Sequence, residues 1–151
     1  MGHGDMAQIC CDTSFLFSLY GRDSRTPEAV AYLGQSRQPV AISILNEFEL
    51  ENSIRLSIVS RRIDFRMAAG MFADYAADKE QGKVVLVDCD LSEVMAQAKG
   101  LSLTHSQRGG HRAYDILHVA AALRLGATEF LSFDANQRKL ANGAGLKVRP
   151  V

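Results

Sequence analysis

Three aspartates occupy positions in the sequence at which a carboxylate could take part in catalysis or bind a metal ion. Asp12 and Asp134 each follow a short apolar run, and Asp115 interrupts an alanine-rich stretch. Carboxylates that gather without a cation repel one another, which raises their pKa values. Hard divalent cations such as Mg²⁺ relieve that repulsion and take oxygen ligands, waters and phosphate oxygens. If the fold brings these acids together, the sequence predicts a metal site suited to phosphodiester hydrolysis.

A second acidic group follows another apolar run and consists of Glu47, Glu49 and Glu51. Steps of two residues on a helix rotate the side chain by about 200°. The three glutamates therefore cannot all face one site. Glu47 and Glu51, at positions i and i+4, are also typical of a solvated helix face.

Each acid also has a purely structural explanation. An aspartate directly after a strand is often a helix N-cap, which applies to both Asp12 and Asp134. Asp115 near a helix N-terminus is favoured by the helix dipole without any metal. His118, one turn later, could be a ligand or a donor to one, although a packed helix histidine is more common. Spacing alone leaves these alternatives open.

The elements that must position these residues follow from hydrophobic patterning. Short apolar runs alternate with helical segments, which is typical of a parallel sheet covered by helices on both faces. We predict strands over 8–11, 40–43, a buried 83–87, 129–132 and 146–149, and a loop over 106–111. We predict helices over 15–20 (capped by Thr13 or Ser14), 26–34, 45–60, 64–79, 91–104, 112–125 and 135–142.

The expected fold class is therefore α/β, a three-layer α/β/α sandwich with a central, mostly parallel sheet of about five strands. Strand order does not follow from these signals. The carboxyl ends of parallel strands share one edge of the sheet, and sites in open α/β sheets lie there. Asp12 and Asp134 fall on that edge. On the alanine-rich helix we expect Leu117, Ala120, Ala121 and Leu125 to form the packing stripe.

Composition narrows the class of protein. The chain has 151 residues, 47% of them apolar and 23% charged, which is enough for one packed domain. We expect residues 6–151 to form that domain and residues 1–5 to be a tag or a disordered N-terminus. Apolar runs are too short to span a bilayer. Three cysteines without metal-ligand spacing favour a reduced, cytoplasmic compartment.

Net charge limits the means of binding nucleic acid. Seventeen basic and 17 acidic residues give a formal net charge of zero. No field of the whole molecule draws the protein onto nucleic acid, so such a partner needs a local basic patch or metal ions.

Four motifs resemble those of PIN-domain ribonucleases, particularly the VapC-type toxins of type II toxin–antitoxin pairs. They stand in the family's order over about residues 9–148. The motifs are Asp12-Thr13-Ser14, Ser43-Ile-Leu-Asn-Glu-Phe-Glu49-Leu-Glu-Asn52, Asp115-Ile-Leu-His-Val-Ala-Ala-Ala-Leu and Phe130-Leu-Ser-Phe-Asp134.

The resemblance assigns roles to particular residues. The family's first, third and fourth acids, which would bind the metal, fall on Asp12, Asp115 and Asp134. Its second acid falls on Glu49, because Glu49-Leu50 matches the family's Glu-Leu step, with Glu47 as the second choice. The family's two hydroxyl positions fall on Thr13 and Ser132.

The resemblance also implies an activity and partners. It implies a Mg²⁺- or Mn²⁺-dependent endoribonuclease acting on single-stranded or looped RNA. It further implies a homodimer, and a small antitoxin protein that lays a segment into the active-site groove. Arg108 and Arg112 flank Gly109-Gly110 shortly before Asp115 and are candidates for a basic rim facing the substrate, or solvated loop charges.

Two other classes fit less well. A non-catalytic, receiver-like interaction module would use the carboxylates structurally, but receiver domains place two acids after the first strand and a lysine after the last. Here Asp12 stands alone, and Lys147 lies inside the last predicted strand. A phosphatase of the haloacid-dehalogenase type needs a second aspartate where Ser14 stands.

Overall fold

The structure is a computed structural model that describes residues 8–151, so the prediction for residues 1–5 lies outside the described residues. Helices cover both faces of a five-stranded sheet. The strands are β1 (Ile9–Cys11), β2 (Val40–Ile42), β3 (Val84–Leu86), β4 (Glu129–Leu131) and β5 (Lys147–Arg149). The helices are α1 (Thr13–Tyr20), α2 (Thr26–Gln35), α3 (Ile44–Val59), α4 (Phe65–Glu80), α5 (Leu91–Leu101), α6 (Gln107–Gly109), α7 (Ala113–Arg124) and α8 (Ala135–Gly143).

The sheet order is β3-β2-β1-β4-β5, and every neighbouring pair is parallel. Cys10 in β1 is in register with Ala41 of β2 and with Phe130 of β4. The predicted α/β class with a parallel sheet is therefore confirmed, and β1 is the central strand. The carboxyl ends of β1, β2 and β4 lie side by side at one edge.

Two apolar clusters hold the helices against the sheet. Cys11 and Phe15 belong to the cluster formed with α1, α3 and α4, whereas Cys10 and Phe130 belong to the one formed with α5, α7 and α8. Adjacent residues of a strand point to opposite faces, which explains how the two cysteines separate. Phe15 and Phe130 are completely buried, and each such side chain contributes about 1.5–3 kcal/mol to stability. Burial raises the pKa of Cys10 to about 12, so this thiol behaves as a small apolar group.

The prediction of a buried strand over 83–87 is wrong in one respect. Val84 is buried, but Val85 and Leu86 are 37% and 40% exposed. The reason is the position of β3 at the edge of the sheet, where fewer helices cover it.

The predicted loop over 106–111 is also wrong in part. A π-helical segment, Ser102–Ser106, continues α5 into the short helix α6. Gly110, at φ 63°, then ends the helical run in the left-handed region, which a residue without Cβ adopts readily. None of the helices within residues 8–151 combines the length and the apolar character needed to cross a membrane.

The packing face of α7 includes the predicted stripe and is wider than it. Ala120 and Ala121 are buried, and Leu117 and Leu125 are partly buried and pack against the same apolar cluster. Ile116 extends the apolar contact on the neighbouring side of the helix. Because α7 is buried on most of its sides, the polar side chain of His118 is also buried and is 2% exposed.

Candidate active site

Asp12 lies in the turn from β1 to α1 and is 4% exposed. Of the three cap candidates Asp12, Thr13 and Ser14, it is Asp12 that caps α1. Its Oδ1 accepts the N–H of Phe15 at 3.0 Å and the hydroxyl of Ser14 at 2.7 Å. Its Oδ2 accepts the hydroxyl of Ser132 at 2.6 Å. Burial raises the pKa of Asp12, and these three hydrogen bonds oppose that rise. The carboxylate is therefore both a helix cap and a buried charge that three donors stabilise.

Asp134 lies at the same edge, after β4, and caps α8. Its Oδ1 accepts the N–H of Gln137 at 2.8 Å. The backbone N–H of Asp134 donates to Ser132 Oγ at 3.0 Å, and the same oxygen donates to Asp12. Ser132 thus joins the first acid to the fourth.

Asp115 lies in the first turn of α7 and has no capping role. The N-cap position of this helix is Arg112, whose side chain makes no capping bond. Burial raises the pKa of Asp115, and the negative charges of Asp134 and Glu49 raise it further, while the positive charge of Arg112 opposes the rise. The charges of Asp134 and Glu49 therefore act on Asp115 at close range.

Glu49, in α3, is bound by the buried His118 of α7. Glu49 Oε1 lies 2.7 Å from His118 Nε2, and Thr13 Oγ1 lies 3.3 Å from the same nitrogen. Burial alone would raise the pKa of Glu49, but the hydrogen bonds from His118 and Thr13 outweigh it, so the pKa is lowered. Glu49 is consequently held as a carboxylate beside Asp115.

Glu47 faces away from this cluster. It accepts the hydroxyl of Tyr75 at 2.7 Å and the ammonium group of Lys79 at 2.9 Å, both in α4. These two bonds lower the pKa of Glu47. The rotation between positions 47 and 49 of a helix accounts for the separation.

Arg112 lies close enough to Asp115 for its charge to lower the pKa of that carboxyl. Arg108 lies in the short helix α6 and is exposed. Both arginines are exposed, and Arg112 is the one of the two whose charge acts on Asp115.

A groove of about 680 Å³ runs along α1 and α3, and Glu49 is the acid of the cluster that lines it. Thr13, Ser14 and Glu49 line one end, and the exposed side chains of Leu56 and Val59 line the other. The groove is open, so an extended chain could lie in it.

The cluster fits a hard divalent cation by the chemistry of its donors, which are carboxylate oxygens. Within residues 8–151, no three His, Cys, Asp or Glu side chains stand close enough together to enclose an ion unaided. Mg²⁺ keeps several of its waters and needs only one or two carboxylates, so an open arrangement suits it. The like charges that raise the pKa of Asp115 are those that a cation would neutralise.

A family model settles the fold family. The model of the PIN domain matches residues 9–143, which is most of the chain. The chain belongs to the PIN domain family.

Solved structures that are similar to this chain come from several bacteria. The Sarcin-Ricin loop cleaving toxin VapC20 of Mycobacterium tuberculosis is 22% identical, covers 95% of this chain and 100% of its own, and has a TM-score of 0.69. For FitAcB from Neisseria gonorrhoeae the identity is 18%, the coverage 95% and 97%, and the TM-score 0.61. For VapBC-1 from nontypeable Haemophilus influenzae the corresponding values are 14%, 93% and 96%, and 0.62. By sequence, the chain matches no curated protein.

Three polar residues of this PIN domain site were not identified from the sequence. Asn46 bonds to the end of β1 and to His118, and Gln137 donates to the carbonyl of Asp115 at 2.9 Å. Ser14 was considered as a helix cap and as an argument against a phosphatase, whereas in the structure its hydroxyl donates to Asp12. The one available signal was the spacing of Ser43 and Asn46, which forms a capping box at the start of α3.

Proposed function

We propose that this PIN domain is a metal-dependent endoribonuclease that hydrolyses phosphodiester bonds of RNA, as the toxin component of a type II toxin–antitoxin system. The proposal rests mainly on the position of Asp115, a half-buried carboxylate without a capping role. Capping explains Asp12 and Asp134 in a non-catalytic interaction module. It does not explain a half-buried carboxylate that caps no helix and lies among other acids, at a cost in stability.

In the proposed site, Asp12, Asp115 and Asp134 would hold Mg²⁺ or Mn²⁺ together with waters that the ion keeps, because these side chains do not enclose an ion unaided. Such an ion, when bound, lowers the pKa of a water and neutralises negative charge on the phosphate. Ser132 donates to the carboxylate of Asp12 and accepts the backbone N–H of Asp134, so it ties the first acid to the backbone that carries the fourth. Glu49, which its donors keep ionised, accepts a proton from the attacking water.

RNA binding in this proposal depends on local charge. Arg112, beside Asp115, contacts a phosphate next to the scissile bond, and the exposed Arg108 contacts a more distant one. Because only these two arginines are proposed to contact phosphates, few phosphates are neutralised and affinity should depend only weakly on salt. We expect single-stranded or looped RNA to be the substrate.

We further propose an antitoxin partner and a homodimer. The groove supports the first, because its wall contains Leu56 and Val59, which are 58% and 80% exposed. A segment that covers this wall and continues along the groove reaches Thr13 and Glu49. The homodimer follows from the family resemblance, and light scattering of the purified chain tests it.

Metal binding and cleavage test the proposed activity together. Calorimetry with Mn²⁺ should show binding to wild type and none to Asp115→Asn, and only wild type should cleave a mixed RNA pool when metal is added. Asp64→Asn is the matched control, because Asp64 caps the distant helix α4 through Met67 N and asparagine caps equally well. A folded wild type that neither binds millimolar metal nor cleaves RNA would favour the interaction module.

A further inference from the structure

The buried amide of Asn46 links the end of β1 to α7. Its Oδ1 accepts the backbone N–H of Ser43 at 3.0 Å, and its Nδ2 donates to the carbonyl of Cys11 at 3.1 Å. A backbone N–H can only donate and a carbonyl oxygen can only accept, so these partners fix the orientation of the amide. The second hydrogen on Nδ2 is left for His118 Nδ1, which lies 3.3 Å away.

The orientation of this amide also fixes the tautomer of His118. Because Asn46 donates to Nδ1, that nitrogen must be unprotonated, and the ring proton must be on Nε2. Nε2 lies 2.7 Å from Glu49 Oε1, so its N–H donates to the carboxylate. His118 is 2% exposed, so no bulk water competes for either nitrogen.

We propose that Asn46 and His118 are positioning residues for Glu49: Asn46 fixes the Nε2–H tautomer, and that N–H holds the Glu49 carboxylate beside Asp115. The proposal rests on the proposed function, since Glu49 matters only if the acids do chemistry. The chain of hydrogen bonds starts at the carbonyl of Cys11, which accepts from Asn46 Nδ2 and lies one residue before Asp12. It therefore ties the orientation of the second acid to the backbone that carries the first.

Holding Glu49 has a physical purpose. Its side chain is 31% exposed, so with the bond from Thr13 as its remaining restraint it would sample more orientations in solvent. A histidine that already uses Nδ1 as an acceptor supplies the donor without adding a positive charge. A cation at that place would repel the metal that the acids are proposed to bind.

The first experiment reads the tautomer by ¹⁵N NMR of the metal-free protein. We expect Nδ1 of His118 to be unprotonated in wild type and protonated in Asn46→Asp, where a carboxylate oxygen replaces the donor. The aspartate still accepts the Ser43 N–H, so the start of α3 is kept. A protonated Nδ1 in wild type, or an unprotonated one in the variant, would overturn the role of Asn46.

The second experiment compares two substitutions of His118. Glutamine can place an N–H near the position of Nε2, whereas leucine fills the space without a donor. We expect His118→Leu to lower kcat about tenfold to a hundredfold with KM for RNA unchanged, and His118→Gln to recover most of that loss. Leu117→Met, in the same helix, controls for altered packing.

A measurement that needs no RNA distinguishes a failure of this inference from a failure of the proposed function. The ¹³C resonance of the Glu49 carboxyl should move in His118→Leu and return towards its wild-type position in His118→Gln. If it does so while wild type fails to cleave RNA, the positioning stands and the ribonuclease proposal fails. If the glutamine and leucine variants behave alike in this resonance, the inference is wrong whatever the activity.

Discussion

Ser132 Oγ lies 2.6 Å from Asp12 Oδ2, although the two residues are 120 positions apart in the chain. The same oxygen accepts the N–H of Asp134 at 3.0 Å. One hydroxyl therefore connects the carboxyl end of β1 with that of β4, the strand that pairs with it. The first and fourth acids are held as a unit by a side chain that is itself completely buried.

Replacing Ser132 by alanine tests that unit. Ser132→Ala leaves buried Asp12 with one donor fewer, and a bond of this kind to a charged group is worth about 1.5–3 kcal/mol. We expect a loss of that order in the free energy of unfolding by urea, together with weaker RNA cleavage. Ser92→Ala, on the exposed side of α5, should change stability by less than about 0.5 kcal/mol. Equal stability of the two variants would contradict the role of Ser132.

Asp12→Asn distinguishes the helix-capping role of Asp12 from the role of its negative charge. Asparagine caps helices as well as aspartate does, so the bond to Phe15 N and the folded state should be kept. The charge required for metal is lost, so cleavage should disappear. The amide nitrogen replaces the acceptor of the Ser132 hydroxyl, but the cost of burying a charge is removed as well, so the melting temperature should stay close to that of wild type. Asp90→Asn, at the cap of α5, is the matched control and should cleave normally. A folded Asp12→Asn protein that cleaves at the wild-type rate would refute the mechanism.

The two glutamates of α3 should respond in opposite ways. Glu49→Gln should abolish cleavage, because the proposed proton acceptor is gone. Glu47→Gln should keep cleavage and lose at most about 1 kcal/mol of stability, because its partly exposed ion pair with Lys79 contributes little. Initial cleavage rates and urea melts of both variants check this. The reverse result would assign the second acid to Glu47.

Asp115→Asn should stabilise the metal-free protein in a pH-dependent way. The pKa of Asp115 is raised above its ordinary value of 3.8 by burial and by the charges of Asp134 and Glu49. Above the raised pKa the folded protein carries a charge that it disfavours, and below pH 3.8 the group is protonated in both the folded and unfolded states. The gain in melting temperature should therefore be largest near pH 7 and vanish as the pH falls towards 3.8. A gain that is independent of pH would contradict this origin.

Added Mn²⁺ should reverse the order of stability of these two proteins. Wild type should gain melting temperature as the metal is titrated, because a ligand that binds only the folded state stabilises it. Asp115→Asn should gain little. Scans with chelator and with millimolar Mn²⁺, at a single pH near 7, make the comparison.

Local signals in the sequence predicted the elements and the places of three acids. The strands that precede Asp12 and Asp134 are short apolar runs bounded by turn residues, so their ends can be read directly. Strand order could not be predicted, because β1 pairs with both β2 and β4 through contacts distant in sequence.

The bonds around His118 escaped prediction for the same reason. His118 contacts Asn46 and Glu49 across 72 and 69 positions. Its sequence context is that of an ordinary packed helix residue. Which polar groups it contacts depends on how α7 is oriented against α3 in the folded protein.

The sheet order also shows which strands can be extended without moving the acids of the site. Asp12 follows β1, Glu49 lies in the helix after β2, and Asp134 follows β4, so the three strands in the middle of the sheet lead into the site. The border strands β3 and β5 do not. A longer connection before β3, or a domain fused after β5, would lengthen the border and leave the distances between the acids intact. For engineering, the borders of the sheet are therefore where insertions and fusions belong.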